Sequence, residues 1–519
     1  MTIRSGAVAA GHPATAAAAE ALLLDGANAV DACLAGLLTA CVAEPVLASL
    51  GGGGFLLTAP PNGNPEIIDF FAQTPRVQRP LDDIEFSEAF ADFGPARQRF
   101  HIGAGSVATP GLIAGVFAAH ARHGRAPIRD VFGPAVDAAR DGVLVREYDA
   151  YVMDVCSGVF GSTEKCQQTY ASPSNPDLLV QSGERMRLPE LADTLDVLSH
   201  EGPDLFYRGE IAALIIEALA DGGHLSRDDL ANYEVRQRTP LRAELGAYDL
   251  RTNPPPSSGG LLLAFALALR KNRSDETTEL AQLQTVAQTM ELTSEARLAA
   301  LASERAHATL LESGFVATYR ERLLQRSRAH TNTTHLSVID SEGGAASLTV
   351  SNGEGAGIIA PQTGIVLNNM LGEEDINPSG FHRWRENERM TSMMAPTIGK
   401  TRDGQILALG SGGSKRIRSA LLQVLLGITG QALELEEAVI RPRIHLEPSS
   451  EGNGHLSLEP MQSMDEEALA PLLDQYPNHQ LWDHTSMFFG GVHAVSWDGS
   501  RAHAAGDPRR GGTALVLGG

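Results

Sequence analysis

One switch in patterning constrains this chain more than any other feature. From Leu261 to Arg328 the apolar residues recur at helical spacing, and from Thr333 onward they fall into short strand-like runs at 336–339 and 345–350. At the switch stands Asn332-Thr333-Thr334-His335-Leu336-Ser337-Val338, two threonines and a histidine at the head of an alternating strand. Strand patterns also occur far upstream, at 51–57 within a glycine run and at 66–71. No internal repeat or low-complexity linker separates the two groups. The pattern predicts one large α/β body with sheets contributed from both sides of residue 333.

A threonine hydroxyl is a poor nucleophile unless a base stands beside it. Cleavage of the Asn332–Thr333 bond would place a free α-amine on the same residue as the Thr333 hydroxyl. Such an amine titrates near neutrality, at roughly 7.7–8.0 when unperturbed, and can act as the base. The run therefore points to a hydrolase or acyltransferase that makes its nucleophile by cutting itself. A Thr-Thr pair also suits a plain strand edge, because β-branched residues favour strands. Other residues must decide between the two.

Composition narrows the partners. The 519 residues carry a net charge of −22, which disfavours nucleic acid and anionic membrane surfaces. No run reaches the roughly 20 apolar residues that span a bilayer. The start, Met1-Thr2-Ile3-Arg4-Ser5-Gly6, lacks a basic segment followed by an apolar one, so a cytoplasmic location is expected. Cys33, Cys41, Cys156 and Cys166 show no CxxC spacing. Cys33 and Cys41 lie in a helical pattern and are expected to be buried, whereas Cys156 and Cys166 are near enough in sequence to meet across a loop. The 16 histidines form no HExxH set, and Gly51 to Gly54 do not continue into GxGxxG or GxxxxGKS. Neither a metal site nor a phosphate-cradling loop is expected.

Further elements are legible. Residues 13–44 read as two helices broken at Asp25-Gly26-Ala27-Asn28, and 112–123 and 128–141 as two more, the second stopped by Gly142. The stretch 188–230 is mostly helical, and a proline-rich turn at 254–260 opens into a helix at 261–269. Beyond the switch, strands are also expected at 357–360, 364–367, 494–497 and 514–517, with a helix at 417–426.

Several motifs recur along nearly the whole chain. Before the switch lie Gly51-Gly52-Gly53-Gly54-Phe55, Thr109-Pro110-Gly111, Ala138-Ala139-Arg140-Asp141-Gly142, Asp204-Leu205-Phe206-Tyr207-Arg208-Gly209 and the run from Pro254 to Gly260. From the switch onward come Thr333-Thr334-His335, Leu367-Asn368-Asn369, Ser411-Gly412-Gly413-Ser414, Arg441-Pro442-Arg443 and Asp507-Pro508-Arg509. In this order they resemble the γ-glutamyltransferase family of N-terminal-nucleophile hydrolases.

The resemblance implies a four-layer αββα sandwich of mixed α/β class that needs no metal or organic cofactor. It implies a precursor cut between Asn332 and Thr333 into a large subunit, 1–332, and a small one, 333–519, which remain one intertwined unit. Thr333 is then the nucleophile, Gly412 and Gly413 match the family's oxyanion glycines, and Ser351 corresponds to a threonine that hydrogen-bonds the nucleophile. Asn352 matches a nearby substrate-contacting asparagine. Thr334 supports Thr333 from the second position, and His335 is a packed strand residue without a catalytic role.

A γ-glutamyl group carries an α-carboxylate and an α-ammonium, so its pocket needs a cation and an anion. Thr391 and Ser392 occupy the family's Ser-Ser position for the carboxylate, with Arg76 or Arg79 as the guanidinium. Glu373, Glu374 and Asp375 are the candidates for the ammonium, a few residues past Asn368-Asn369. Met370 stands where some members have a polar residue.

The expected activity is that of a γ-glutamyltransferase or glutathione hydrolase acting on a small γ-glutamyl donor, with water or an amine as acceptor. A related glutaryl or cephalosporin-type acylase is the nearest alternative. A non-catalytic paralogue that binds amino-acid-like ligands is a third, and the presence of Thr333, Ser351, Gly412 and Gly413 counts against it.

Overall fold

The computed structural model describes residues 6–92, 97–270, 278–301, 310–312, 315, 316, 318, 319, 333–449 and 452–518. Asn332 and most of the helical pattern expected between 302 and 328 lie outside the described residues.

Two large sheets form the centre. The first has seven strands, in the spatial order Thr513–Leu517, Gly6–Ala10, Thr334–Ile339, Ala345–Ser351, Gly53–Ala59, Glu66–Phe70 and Arg236–Arg238. The second has six: Ala502–Ala505, Gly491–Trp497, Ile406–Gly412, Thr397–Lys400, Tyr248–Thr252 and Leu241–Leu245. Each sheet mixes strands from before and after Thr333. In the first, the pair that follows Thr333 sits in the middle, flanked by strands from the N-terminal region.

Period-two alternation sorts the side chains into layers. Val8 and Ala10 join Leu56, Ile68, Leu336, Val338 and Leu348 against the helices Pro13–Asp25 and Ala29–Ala43. Their neighbours Ala7, Ala9, Phe55, Leu57 and Ile67 point the other way and pack on Ile398, Ile406, Ala408 and Val495 of the second sheet. Leu407, Leu409, Val492 and Ala494 then face outward against the helices Ser258–Arg270 and Lys415–Gly430. The order helix, sheet, sheet, helix is the expected four-layer sandwich. Both sheets are covered on both faces, which explains why strands such as Thr334–Ile339 are buried along their whole length.

A polar seam runs through the layer between the sheets. His335 is buried, with Nδ1 2.8 Å from Thr349 Oγ1 and Nε2 2.8 Å from Ser337 Oγ. Burial lowers its pKa well below the usual imidazole value, so the ring is neutral and engaged at both nitrogens.

One pair of expected strands does not form. Residues 357–360 and 364–367 meet only through a single antiparallel bridge between Ile359 and Val366. The chain reaches them through Gly353, Gly355 and Gly357 at φ 72°, 91° and 74°, a left-handed course that cannot continue a strand. The loop is fixed instead by Asn368, whose amide nitrogen donates to the carbonyls of Gly51 (2.8 Å) and Ala108 (2.9 Å).

All four cysteines are free and buried, so Cys156 and Cys166 do not bridge. Among the described residues no helix is long and apolar enough to cross a membrane.

Candidate active site

Strand register brings the first two site residues together. Thr334 pairs with Val350 in an antiparallel ladder, which sets Thr333 across from Ser351 at the end of the sheet. The last strand position of the facing sheet is Gly412, paired with Gly491. A Cβ on Gly412 would lie 1.8 Å from the Thr333 carbonyl oxygen, so only glycine permits the two sheet ends to meet there.

Thr333 is 3% exposed and borders a cleft of about 250 Å³. The other walls are Ser351, Glu373, Ser392, Ser414, Phe71, Met370, Ile376, Met393 and Met394. Polar and apolar side chains share the lining equally, and Thr333 enters it from the end of a central strand.

Two further contacts fix the Thr333–Thr334 backbone. Arg510, itself buried, donates from Nη1 to the Thr333 carbonyl at 3.1 Å. Burial depresses the Arg510 pKa, while Tyr148, Asp507 and Glu44 act in the opposite sense. On the helical side Thr334 Oγ1 donates to Glu44 Oε2 at 2.8 Å, and Thr15 Oγ1 donates to Glu44 Oε1 at 2.8 Å. Burial is the main cause that raises the Glu44 pKa, with the charge of His12 and both hydroxyl bonds opposing it. Thr334 thus braces its neighbour through a buried carboxyl.

The turn at Gly412-Gly413-Ser414 is a sharp strand-to-helix connection. Strand Ile406–Gly412 gives way to helix Lys415–Gly430 through Gly413 at φ 109° and Ser414 at φ 47°, ψ −115°. Ser414 Oγ donates to Asp375 Oδ2 at 2.7 Å, and Lys415 Nζ lies 2.5 Å from Asp375 Oδ1.

Residues 14–517 match the family described as gamma-glutamyltranspeptidase. The chain belongs to the gamma-glutamyltranspeptidase family. It is similar to a glutathione hydrolase proenzyme of Pseudomonas aeruginosa, 28% identical over 99% of this chain and 95% of that one. It is also similar to an acylase ACY 1 proenzyme of Pseudomonas sp. strain SE83, 28% identical over 85% of this chain and 82% of that one. A crystal structure of cephalosporin acylase from Bacillus halodurans shares the fold, with TM-score 0.83, 21% identity and coverage of 99% of this chain and 96% of that one.

Of the positions that the gamma-glutamyltranspeptidase resemblance singles out, Thr333, Ser351, Glu373 and Ser392 line the cleft together. The three candidate acids separate. Glu373 is buried on the cleft wall, and a side chain at Gly353 would collide with its Oε1 (2.4 Å) and with Asn369 Oδ1 (1.9 Å). Glu374 points to the surface and pairs with Arg99 at 3.3 Å. Asp375 is committed to Ser414 and Lys415 and does not line the cleft.

Neither candidate arginine lines it either. Arg79 Nη1 donates to the Gly223 carbonyl at 2.7 Å, and the Arg76 backbone N–H donates to Asp229 at 2.7 Å. Asn352 turns its amide to the Pro45 carbonyl at 3.2 Å, behind the cleft. Thr391 Oγ1 donates to the Pro256 carbonyl at 2.8 Å and lies 2.9 Å from Ser258 Oγ, so it braces the Ser392 segment from outside. Gly412 and Gly413 shape the turn without bordering the cleft.

The sequence reading did not assign a site role to Ser414, Arg510, Glu44, Phe71, Met393 or Met394. Ser414 closes one quoted motif and Arg510 directly follows another, which is a signal of position though not of role. The Phe71 carbonyl receives the Arg389 guanidinium, which also bonds Tyr233. No local pattern announces such a contact.

Proposed function

We propose that the chain is a precursor that cuts itself before Thr333, and that its mature form transfers the γ-glutamyl group of glutathione or a related amide to water or an amine. In maturation Thr333 Oγ1 attacks the Asn332 carbonyl, the peptide shifts to an ester, and water releases residues 1–332 from 333–519. Mature Thr333 then attacks the γ-amide of the donor. Its α-amine takes the hydroxyl proton and passes it to the departing amine, leaving an acyl-enzyme that water or a second amine resolves. The position of Thr333, packed on Gly412, opposite Ser351 and on the wall of the cleft, is the observation that carries this reading. The presence of Glu373 on the cleft wall supports the reading in which it receives the donor's α-ammonium. Four free, buried cysteines agree with a cytoplasmic location, where thiols stay reduced.

A denaturing gel with N-terminal sequencing tests the proposal. Two bands, the smaller beginning at Thr333, are expected from the native chain, and one uncut band with no turnover from Thr333→Ala. Normal processing in that variant refutes the mechanism.

The apolar wall formed by Phe71, Met370, Ile376, Met393 and Met394 favours a second reading, an acylase for less polar acyl groups. Rates on γ-glutamyl and glutaryl anilides separate the two, faster glutaryl release selecting the acylase.

A further inference from the structure

Ser414 combines three features that the acyl-transfer mechanism does not yet use. It lines the cleft beside Thr333, it holds a left-handed φ of 47° despite carrying a side chain, and its hydroxyl is bonded to a buried carboxylate. A non-glycine residue persists in such a conformation only where its surroundings over-determine it, and such residues cluster where geometry matters for function. Here the constraint is visible. Asp375 takes the Ser414 hydroxyl at 2.7 Å on one oxygen and Lys415 Nζ at 2.5 Å on the other, with both side chains of the ion pair buried. Arg297 Nη2 adds a bond to the Asp375 carbonyl at 3.1 Å. Asn377 ties the same loop down by donating to the carbonyls of Met370 (2.9 Å) and Glu373 (2.8 Å).

We propose that Asp375, paired with Lys415, is a positioning residue: it clamps Ser414 so that the Gly412–Gly413–Ser414 turn is held at the acyl group on Thr333. The inference rests on the acyl-transfer reading above. Its logic is that oxyanion stabilisation depends on donors fixed before the charge develops. The Gly413 and Ser414 carbonyls accept from the Arg416 (2.9 Å) and Ile417 (3.0 Å) N–H groups, which ties the turn to its helix, and the Ser414 hydroxyl ties it to the loop of Asp375. A carboxylate is the stronger acceptor for the hydroxyl, and Lys415 makes its burial tolerable. The same carboxylate is therefore unavailable for the donor's ammonium, and ammonium recognition falls to Glu373.

The test uses the full chain as Asp375→Asn, Ser414→Ala and Ser414→Gly, each checked for cleavage on a denaturing gel and assayed with γ-glutamyl-p-nitroanilide. Expected is a fall in kcat of about 10-fold or more with KM changed by less than about 2-fold, because the turn acts on the transition state rather than on donor binding. Ser414→Gly should unfold at a higher temperature than Ser414→Ala, since glycine adopts the positive φ freely, while remaining as slow. A rise in KM at constant kcat in Asp375→Asn overturns the proposal by making Asp375 a donor ligand. Native kcat in both Ser414 variants overturns it by showing the hydroxyl idle, and these variants decide the matter if Asp375→Asn fails to fold. A native chain that stays uncut and turns over no anilide sinks the acyl-transfer reading itself, and this proposal with it.

Discussion

The Arg510 guanidinium donates to the carbonyl oxygen of Thr333, the same oxygen that Gly412 packs against. Thr333, the proposed nucleophile, is therefore anchored through its main-chain carbonyl. Replacing Arg510 by Met removes a buried charged donor worth about 1.5–3 kcal/mol. The expected result is a fall in kcat of roughly 10- to 100-fold on a γ-glutamyl anilide. Undiminished kcat in cleaved Arg510→Met protein would show that the carbonyl needs no such anchor.

Gly412→Ala places a methyl group 1.8 Å from the Thr333 carbonyl oxygen, where the obstacle is backbone and not a movable side chain. A destabilisation of about 2–3 kcal/mol is expected from this overpacking. Self-cleavage should be lost with it. Calorimetry and a denaturing gel check both, and native-rate cleavage in this variant would mean that the sheet ends do not meet as described.

Glu373→Gln distinguishes recognition from chemistry. KM for a γ-glutamyl anilide should rise about 10-fold or more while kcat holds, because the substitution removes the charge proposed to pair with the donor's ammonium. A glutaryl anilide lacks that ammonium and should be processed as by the native enzyme. Equal losses on both donors would assign Glu373 to the fold.

Glu354 gives the molecule a pH signature. Burial pushes its carboxyl up to about 7, with a hydrogen bond from Asn369 opposing the rise and the charge of Asp375 adding to it. The folded pKa lies above the unfolded one, so the stability that the neutral form supplies is complete below about pH 4.5 and is lost as pH rises through about 7. The shift corresponds to something on the order of 3 kcal/mol. Glu354→Gln stays neutral throughout. Between about pH 5 and pH 8 the native chain should therefore lose more thermal stability than the variant, and parallel melting curves would contradict the assignment.

Much of the architecture was legible because faces follow from short-range periodicity. Alternation in 336–339 and 345–350 marks strands, and the structure extends them to Thr334–Ile339 and Ala345–Ser351. The helices at 112–123 and 128–141 have the expected limits. The failure at 357–360 and 364–367 has a local cause, since the glycines leading into them take positive φ and the two segments share a single bridge, Ile359 to Val366. Apolar composition there resembles a strand, but backbone conformation does not follow from composition.

By itself, the sequence determined the family, the candidate nucleophile and the layering, because motif order and hydrophobic period are written along the chain. Only the tertiary structure decided which of three neighbouring acids faces the cleft, and that Arg510 and Gly412 meet at one carbonyl. Glu373, Glu374 and Asp375 are alike in sequence, yet Arg99 draws one to the surface, Lys415 and Ser414 hold another, and the third is left on the cleft wall. The direction of a loop side chain depends on partners remote in sequence, and no local pattern encodes them.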